Sequence, residues 1–344
     1  MSREGEGITA VALATTVGSV IQTMMVVPLL MSHRRELRGG VWTDRRVRKI
    51  ALLILPLLLG SAFYKSDVLI GRVLASLLPG GQLSYLAYAN RFATLLLLLV
   101  SSGITTAIFP RFALRSARSN APGLADEVNR AVGYMAFVVV GFLVPVVCLR
   151  SDLIRVALQR GQFHAGATAG TAAALLGYAG FVYANAIAGL CSNALYSLQR
   201  TATVVAIGII GLLIYIGLAL VLVGRLGYVG VAYAASLAAL VNLAVYLVAL
   251  RHNGVRVDGR EIAVLHARLV PAAASAWAAT GACRLLAGPS LAGVVSAGIA
   301  GLVTFALAAK LMGCPQSGDM ARSLGRIMLA ALAAGVRQVR GKAA

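Results

Sequence analysis

The sequence predicts an all-α fold, a polytopic transmembrane helix bundle of about nine spans. Composition is the first sign. Of 344 residues, 59% are apolar in the broad count and 12% are charged, against roughly 25% charged residues in a soluble domain. The mean hydropathy of +0.85 points the same way. The third sign is arrangement: apolar runs long enough to cross a bilayer core of about 30 Å recur along the chain, separated by basic links. Thirty-one Lys+Arg against eleven Asp+Glu leave a net charge of +20. Because that charge lies between apolar runs, it fits anionic lipid headgroups at the cytoplasmic face, not nucleic acid.

The spans fall at about 8–31, 49–78, 84–109, 131–149, 167–198, 202–223, 228–250, 262–286 and 289–312. The first is too long for a signal-peptide core and lacks a small-x-small exit. Spans two and five are long enough to tilt, kink or project, and Pro56 gives the second a place to bend. Lys and Arg concentrate in the links after spans one, three, five and seven and in the C-terminal tail. By the positive-inside rule those links and the C-terminus are cytoplasmic, so the first span runs outside to inside. In the tail, Arg322, Arg326, Arg337 and Arg340 share one side of a helical wheel, opposite Leu324, Ile327 and Met328. This predicts an amphipathic helix in the cytoplasmic headgroup layer.

Charges inside spans are costly, about 2.5–3.5 kcal/mol each at mid-helix on insertion scales, and so mark sites. Lys65, Asp67 and Arg72 lie in span two and Arg91 in span three. At 1.5 Å per residue Lys65 and Arg91 come out at a similar depth in the outer half of the membrane. Two cations on adjacent helices make an anion site of the kind that phosphate prefers. Asp67 and Arg72 are read as charge-balancing or snorkelling neighbours. Asp67 is the single acid within the spans, and no Ser-His-Asp set, HExxH or Walker loop appears, so catalysis is not expected. Cys148, Cys191, Cys283 and Cys314 are scattered and read as apolar fillers, with no metal site and no cofactor. Asn185, Asn193 and Asn242 read as interhelical hydrogen-bond partners. His33, His164, His252 and His266 read as solvated link residues, and Tyr85, Tyr88 and Tyr228 as interfacial anchors.

Several stretches, in order, resemble the MurJ/MviN lipid II flippase family of the multidrug/oligosaccharide-lipid/polysaccharide exporter superfamily. They are DVLIGRVLASLLPGG, LSYLAYANRF, GITTAIFPRFALRSA, LQRGQFHAGATAGTAAALLGYA, ALYSLQRTATVV and VGRLGYVGVAYAASLAALVN, within about residues 45–250. The resemblance implies fourteen helices in two six-helix lobes around a cationic cavity, with a final pair beside a lipid-tail groove. On that scheme residues 1–44 carry the last helix of an incomplete first lobe and a cytoplasmic link. Residues 45–252 are the second lobe, 253–313 the final pair and 314–344 the basic tail. About five first-lobe helices would then be absent from this chain.

Arg91 aligns with the family's helix-8 arginine, which faces the substrate diphosphate. Asn90 stands where members commonly carry Asp, making the site more cationic. Members that bind sodium in this lobe use polar or acidic groups aligning with Gly71, Tyr215, Ala219 and Ala235, none of which carries a carboxylate. Lys65, at a usually neutral position, is expected to replace a mobile cation. The implied function is flipping of an undecaprenyl-diphosphate-linked saccharide, lipid II or an exopolysaccharide precursor, across the bacterial inner membrane by alternating access, in cell-wall biogenesis. The alternatives are a non-transporting half subunit, with a separate first-lobe polypeptide as partner, and a drug or cation antiporter dependent on Asp67.

Overall fold

The structure, a computed structural model, describes residues 2–32, 73, 80–118 and 121–318. Lys65, Asp67, Arg72, nearly all of span two and the tail helix lie outside the described residues. The chain divides into two compact units, Met1–Pro56 and Leu57–Ala344. In the first, α1 (Ser2–Ser32) is one continuous helix through Pro28. Its Ser19 and Thr23 hydroxyls each bond a carbonyl four residues back at 2.9 Å, which satisfies polar groups within an apolar helix.

In the second unit the described elements are α2 (Gln82–Ala117), α3 (Ala121–Cys148), α4 (Arg150–Leu158), α5 (Ala165–Gly177) and α6 (Ala179–Ser197), then α7 (Thr201–Leu226), α8 (Tyr228–His252), α9 (Gly259–Ala287) and α10 (Leu291–Leu311). By length and apolarity α2, α3, α7, α8, α9 and α10 can each cross a bilayer, and α5 with α6 forms a further span bent by 41°. This is a multi-pass membrane protein.

α6 sits at the centre, packed against α2, α3 and α8, while α7 pairs with α8. Its inner faces are mostly small: Ala184, Ala186, Cys191 and Ala194 are fully buried, with Leu190 among them. Small residues allow the close helix approach that drives association in lipid, where no hydrophobic force separates helix from solvent. The α9–α10 hairpin docks on α3. It closes at Gly301, where a Cβ would lie 2.1 Å from Thr280 Oγ1.

The bend in span five has a specific cause. In a straight helix Phe181 N–H would donate to Gly177 O. Here Ser236 Oγ of α8 stands between them, accepting from Phe181 N at 2.8 Å and donating to Gly177 O. A side chain inserted into the i→i−4 ladder is a standard origin of a kink. Glycine at 177 and 180 admits α8: added Cβ atoms would lie 2.7 Å from Ala232 Cβ and 3.0 Å from Ser236 Cβ.

Three further features depart from the sequence expectation. α3 starts at Ala121, not near 131, because Leu124 and Val128 already face the core while Asp126 and Arg130 face out and lower the local hydropathy. α2 continues past Pro110 to Ala117, held by buried Phe112. The link after span four contains α4, whose Ile154 and Asp152 are buried.

The links divide between two faces. At one, Asn129 joins the 253–258 link by accepting from Asp258 N (3.0 Å) and donating to Arg256 O (3.2 Å). There too Ser116 Oγ donates to Ser197 O (2.8 Å) and Arg268 to Gly313 O (2.8 Å). This face carries Arg111, Arg115, Arg118, Arg130, Arg200, Arg251, Arg256 and Arg260. At the opposite face Tyr85 stacks edge-on against Tyr228 (5.9 Å) and Tyr88 against Phe163 (5.5 Å). The tyrosines expected as interfacial anchors are thus also packing partners, with Tyr228 donating to Gly170 O at 3.2 Å.

Candidate functional site: a cationic cavity between α2, α6, α7 and α8

α2 and α7 both rest on α6 and α8, and a cavity of about 160 Å³ lies among the four helices. Its polar groups come one helix at a time: Asn90 and Arg91 from α2, Asn185 from α6, Tyr215 from α7 and Asn242 from α8. Leu86, Ala89 and Ala93 form the buried stripe that fixes α2. Arg91 lies about 200° round the helix from Ala89, which turns its side chain away from that stripe and leaves it exposed.

Arg91 makes no hydrogen bond or ion pair with the described residues. Asn90 Oδ1 accepts from Thr94 Oγ1 at 3.2 Å, and Asn185 Nδ2 donates to Phe181 O at 3.0 Å. Asn242 is different: its Oδ1 is buried with no donor. Gly211 of α7 makes room for that carboxamide, since a Cβ there would lie 2.9 Å from Asn242 Cγ. The kink residues Tyr178 and Phe181 also line the cavity, so the bend of α5–α6 shapes its wall.

Among the described lining residues there is one formal charge, the Arg91 guanidinium, and no acid. An unpaired guanidinium with amide donors beside it suits an oxyanion such as phosphate. Of the positions compared with sodium-binding relatives, Tyr215 and Ala235 line this cavity and Ala219 is buried beside it. No described side chain here supplies the anionic oxygen a sodium site would draw on, and no cluster of three metal-ligating residues occurs among the described residues.

The structure thus brings together Arg91 and Asn90 from the sequence reading and leaves Lys65, Asp67 and Arg72 outside the described residues. Asn185 and Asn242, read from sequence as interhelical partners, also line the cavity, where Asn185 Nδ2 donates to Phe181 O and the buried Asn242 Oδ1 has no donor among the described residues. His266 is not a solvated link residue: it is half-buried in α9, where Tyr183 Oη donates to its Nε2 and its Nδ1 donates to Ile262 O at 2.7 Å.

Comparison with known proteins gives one family. The family model described as MurJ, lipid II flippase, matches residues 2–301. A probable lipid II flippase MurJ of Vibrio cholerae serotype O1 is 26% identical over 264 residues, 76% of this chain and 50% of that protein. The chain spans about half the length of the curated relatives it matches most extensively. Among solved structures, lipid II flippase MurJ in an inward closed conformation superposes with a TM-score of 0.64 at 18% identity, covering 75% of this chain and 52% of that one. An outward-facing multidrug resistance MATE family transporter gives 0.55 at 15% identity, covering 81% and 67%. These two likenesses are of fold.

Proposed function

This chain belongs to the lipid II flippase MurJ family, and from that membership we propose that it serves to move an undecaprenyl-diphosphate-linked saccharide across the bacterial inner membrane. The observation that carries the reading is the Arg91 guanidinium on a cavity within the span region, with no partner and no acid among the described residues around it. Cations hold diphosphate strongly because hydrogen bonds between charged partners are shorter and about twice as strong as neutral ones. Arg91 binds the diphosphate, Asn90 and Asn185 orient its oxygens, and Lys65 adds a second cation from span two. Asp67 and Arg72 balance the local charge.

The basic face is cytoplasmic by the positive-inside rule, which puts the C-terminus inside and lets the tail helix lie on anionic lipid. The α9–α10 pair guides the polyprenyl tail. Residues 45–252 act as the second lobe, and α1 belongs to the first. Enclosing the headgroup takes a first lobe as well as this one, since the chain matches about half the length of its relatives. The chemistry is transport without bond making or breaking, so the chain is no enzyme. A drug antiporter would need an acid facing a cationic substrate, and no described lining residue is one.

The test is a flipping assay in proteoliposomes with a fluorescent undecaprenyl-diphosphate saccharide, run on the full chain with and without its candidate first-lobe partner. Flipping that drops at least about tenfold in Arg91→Gln, equivalent to about 1.4 kcal/mol, supports the reading. Flipping unchanged by Arg91→Gln, or none under either condition, contradicts it.

A further inference from the structure

A second cavity, of about 440 Å³, opens at the basic face where α2, the start of α3, the start of α9 and the residues after α10 meet. It is not continuous with the Arg91 site in its lining: no described residue is shared. Its charges come in both signs. Arg111 of α2 pairs with Glu127 of α3 at 3.1 Å. Arg130 of α3 and Glu261 of α9 line the same space, are exposed, and have no ion-pair partner among the described residues. Gln316 adds a buried Oε1 that no donor reaches.

A purely anionic headgroup would meet Glu127 and Glu261 as well as the arginines, so the charge balance gives it no net attraction. A headgroup with both signs fits: its phosphate on Arg130 and the outer edge of Arg111, its ammonium on Glu261. Ile108, Ile262 and Leu265 give the cavity an apolar wall, and Phe109 and Val264 beside them are exposed, as lipid-facing residues are. We propose that this cavity is a binding site for a phospholipid with a phosphoethanolamine headgroup, seated where the lobe helices α2–α3 meet the α9–α10 pair.

The experiment is lipid retention by the full chain. The protein is extracted from vesicles of equal phosphatidylethanolamine and phosphatidylglycerol, washed in detergent, and its bound lipids are counted by native mass spectrometry. The expected result is preferential retention of phosphatidylethanolamine, reduced about fivefold or more by Arg130→Gln and by Glu261→Gln. Arg251→Gln, at the exposed end of α8 away from the cavity, should leave it unchanged. Equal retention of phosphatidylglycerol, or retention unaffected by both cavity variants, overturns the proposal. If Arg130→Gln alters the size-exclusion profile, Glu261→Gln decides alone. Neither variant touches the Arg91 cavity, so a failure here leaves the diphosphate reading standing.

Discussion

Ser236 Oγ accepts the backbone N–H of Phe181 that helix geometry would otherwise direct to Gly177 O. One hydroxyl on α8 therefore holds a 41° bend in the neighbouring span, and the residues of that bend line the cationic cavity. Ser236→Ala is expected to leave two buried backbone groups unsatisfied and to cost about 1–3 kcal/mol, read as a lowered unfolding midpoint in detergent. Substrate affinity should fall with it if the bend shapes the site.

The same contact makes a prediction about glycines. Gly177→Ala must push a Cβ to within 2.7 Å of Ala232, whereas Gly208→Ala on α7 meets nothing within 4 Å. Overpacking of this kind costs about 1–3 kcal/mol. Thermal unfolding should therefore fall for Gly177→Ala and stay level or rise for Gly208→Ala.

At the opposite face from the basic links, Asp152 of α4 is buried and paired with Arg284 of α9. This ion pair ties the link after α3 to the final helix pair. Arg284→Ala leaves a buried carboxylate alone, which costs about 3 kcal/mol. The Asp152→Asn/Arg284→Gln double variant should recover much of that loss, a coupling that a double-mutant cycle measures.

Tyr183 and His266 tie α6 to α9 closer to the basic face. Tyr183→Phe removes the donor to Nε2 and is expected to cost about 1 kcal/mol. Hydrogen exchange should rise in the first turns of α9 and leave α7 unchanged.

Lys65→Met is expected to lower flipping about as much as Arg91→Gln if both cations hold one diphosphate. The flipping assay under Proposed function reads both. Full activity in Lys65→Met would remove Lys65 from the site.

Much of this architecture was legible because membrane spans are long apolar runs and basic links mark one face. α7, α8, α9 and α10 fall within a few residues of their expected limits. What escaped were features set by partners distant in sequence. The buried Asp152 of α4 finds its partner in Arg284, 132 residues away. The bend at Tyr178 depends on Ser236, an ordinary-looking serine in an alanine-rich run. His266 lies beside Arg268 and Glu261 in sequence and so reads as polar surface, yet Tyr183 buries its ring edge. Arg91 was visible because a lone cation among YLAYANRFATLL is conspicuous. Asn242 was visible as a polar residue in span seven, but its missing donor is set by the packing of α7 against α8.

The measurement to make first is binding of undecaprenyl diphosphate and of undecaprenol to the purified full chain, wild type and Arg91→Gln. A diphosphate site at Arg91 predicts that the wild type favours the diphosphate by about tenfold or more and that Arg91→Gln loses this preference while still binding the alcohol. Equal affinity of the wild type for both lipids, or a preference that survives Arg91→Gln, would contradict it.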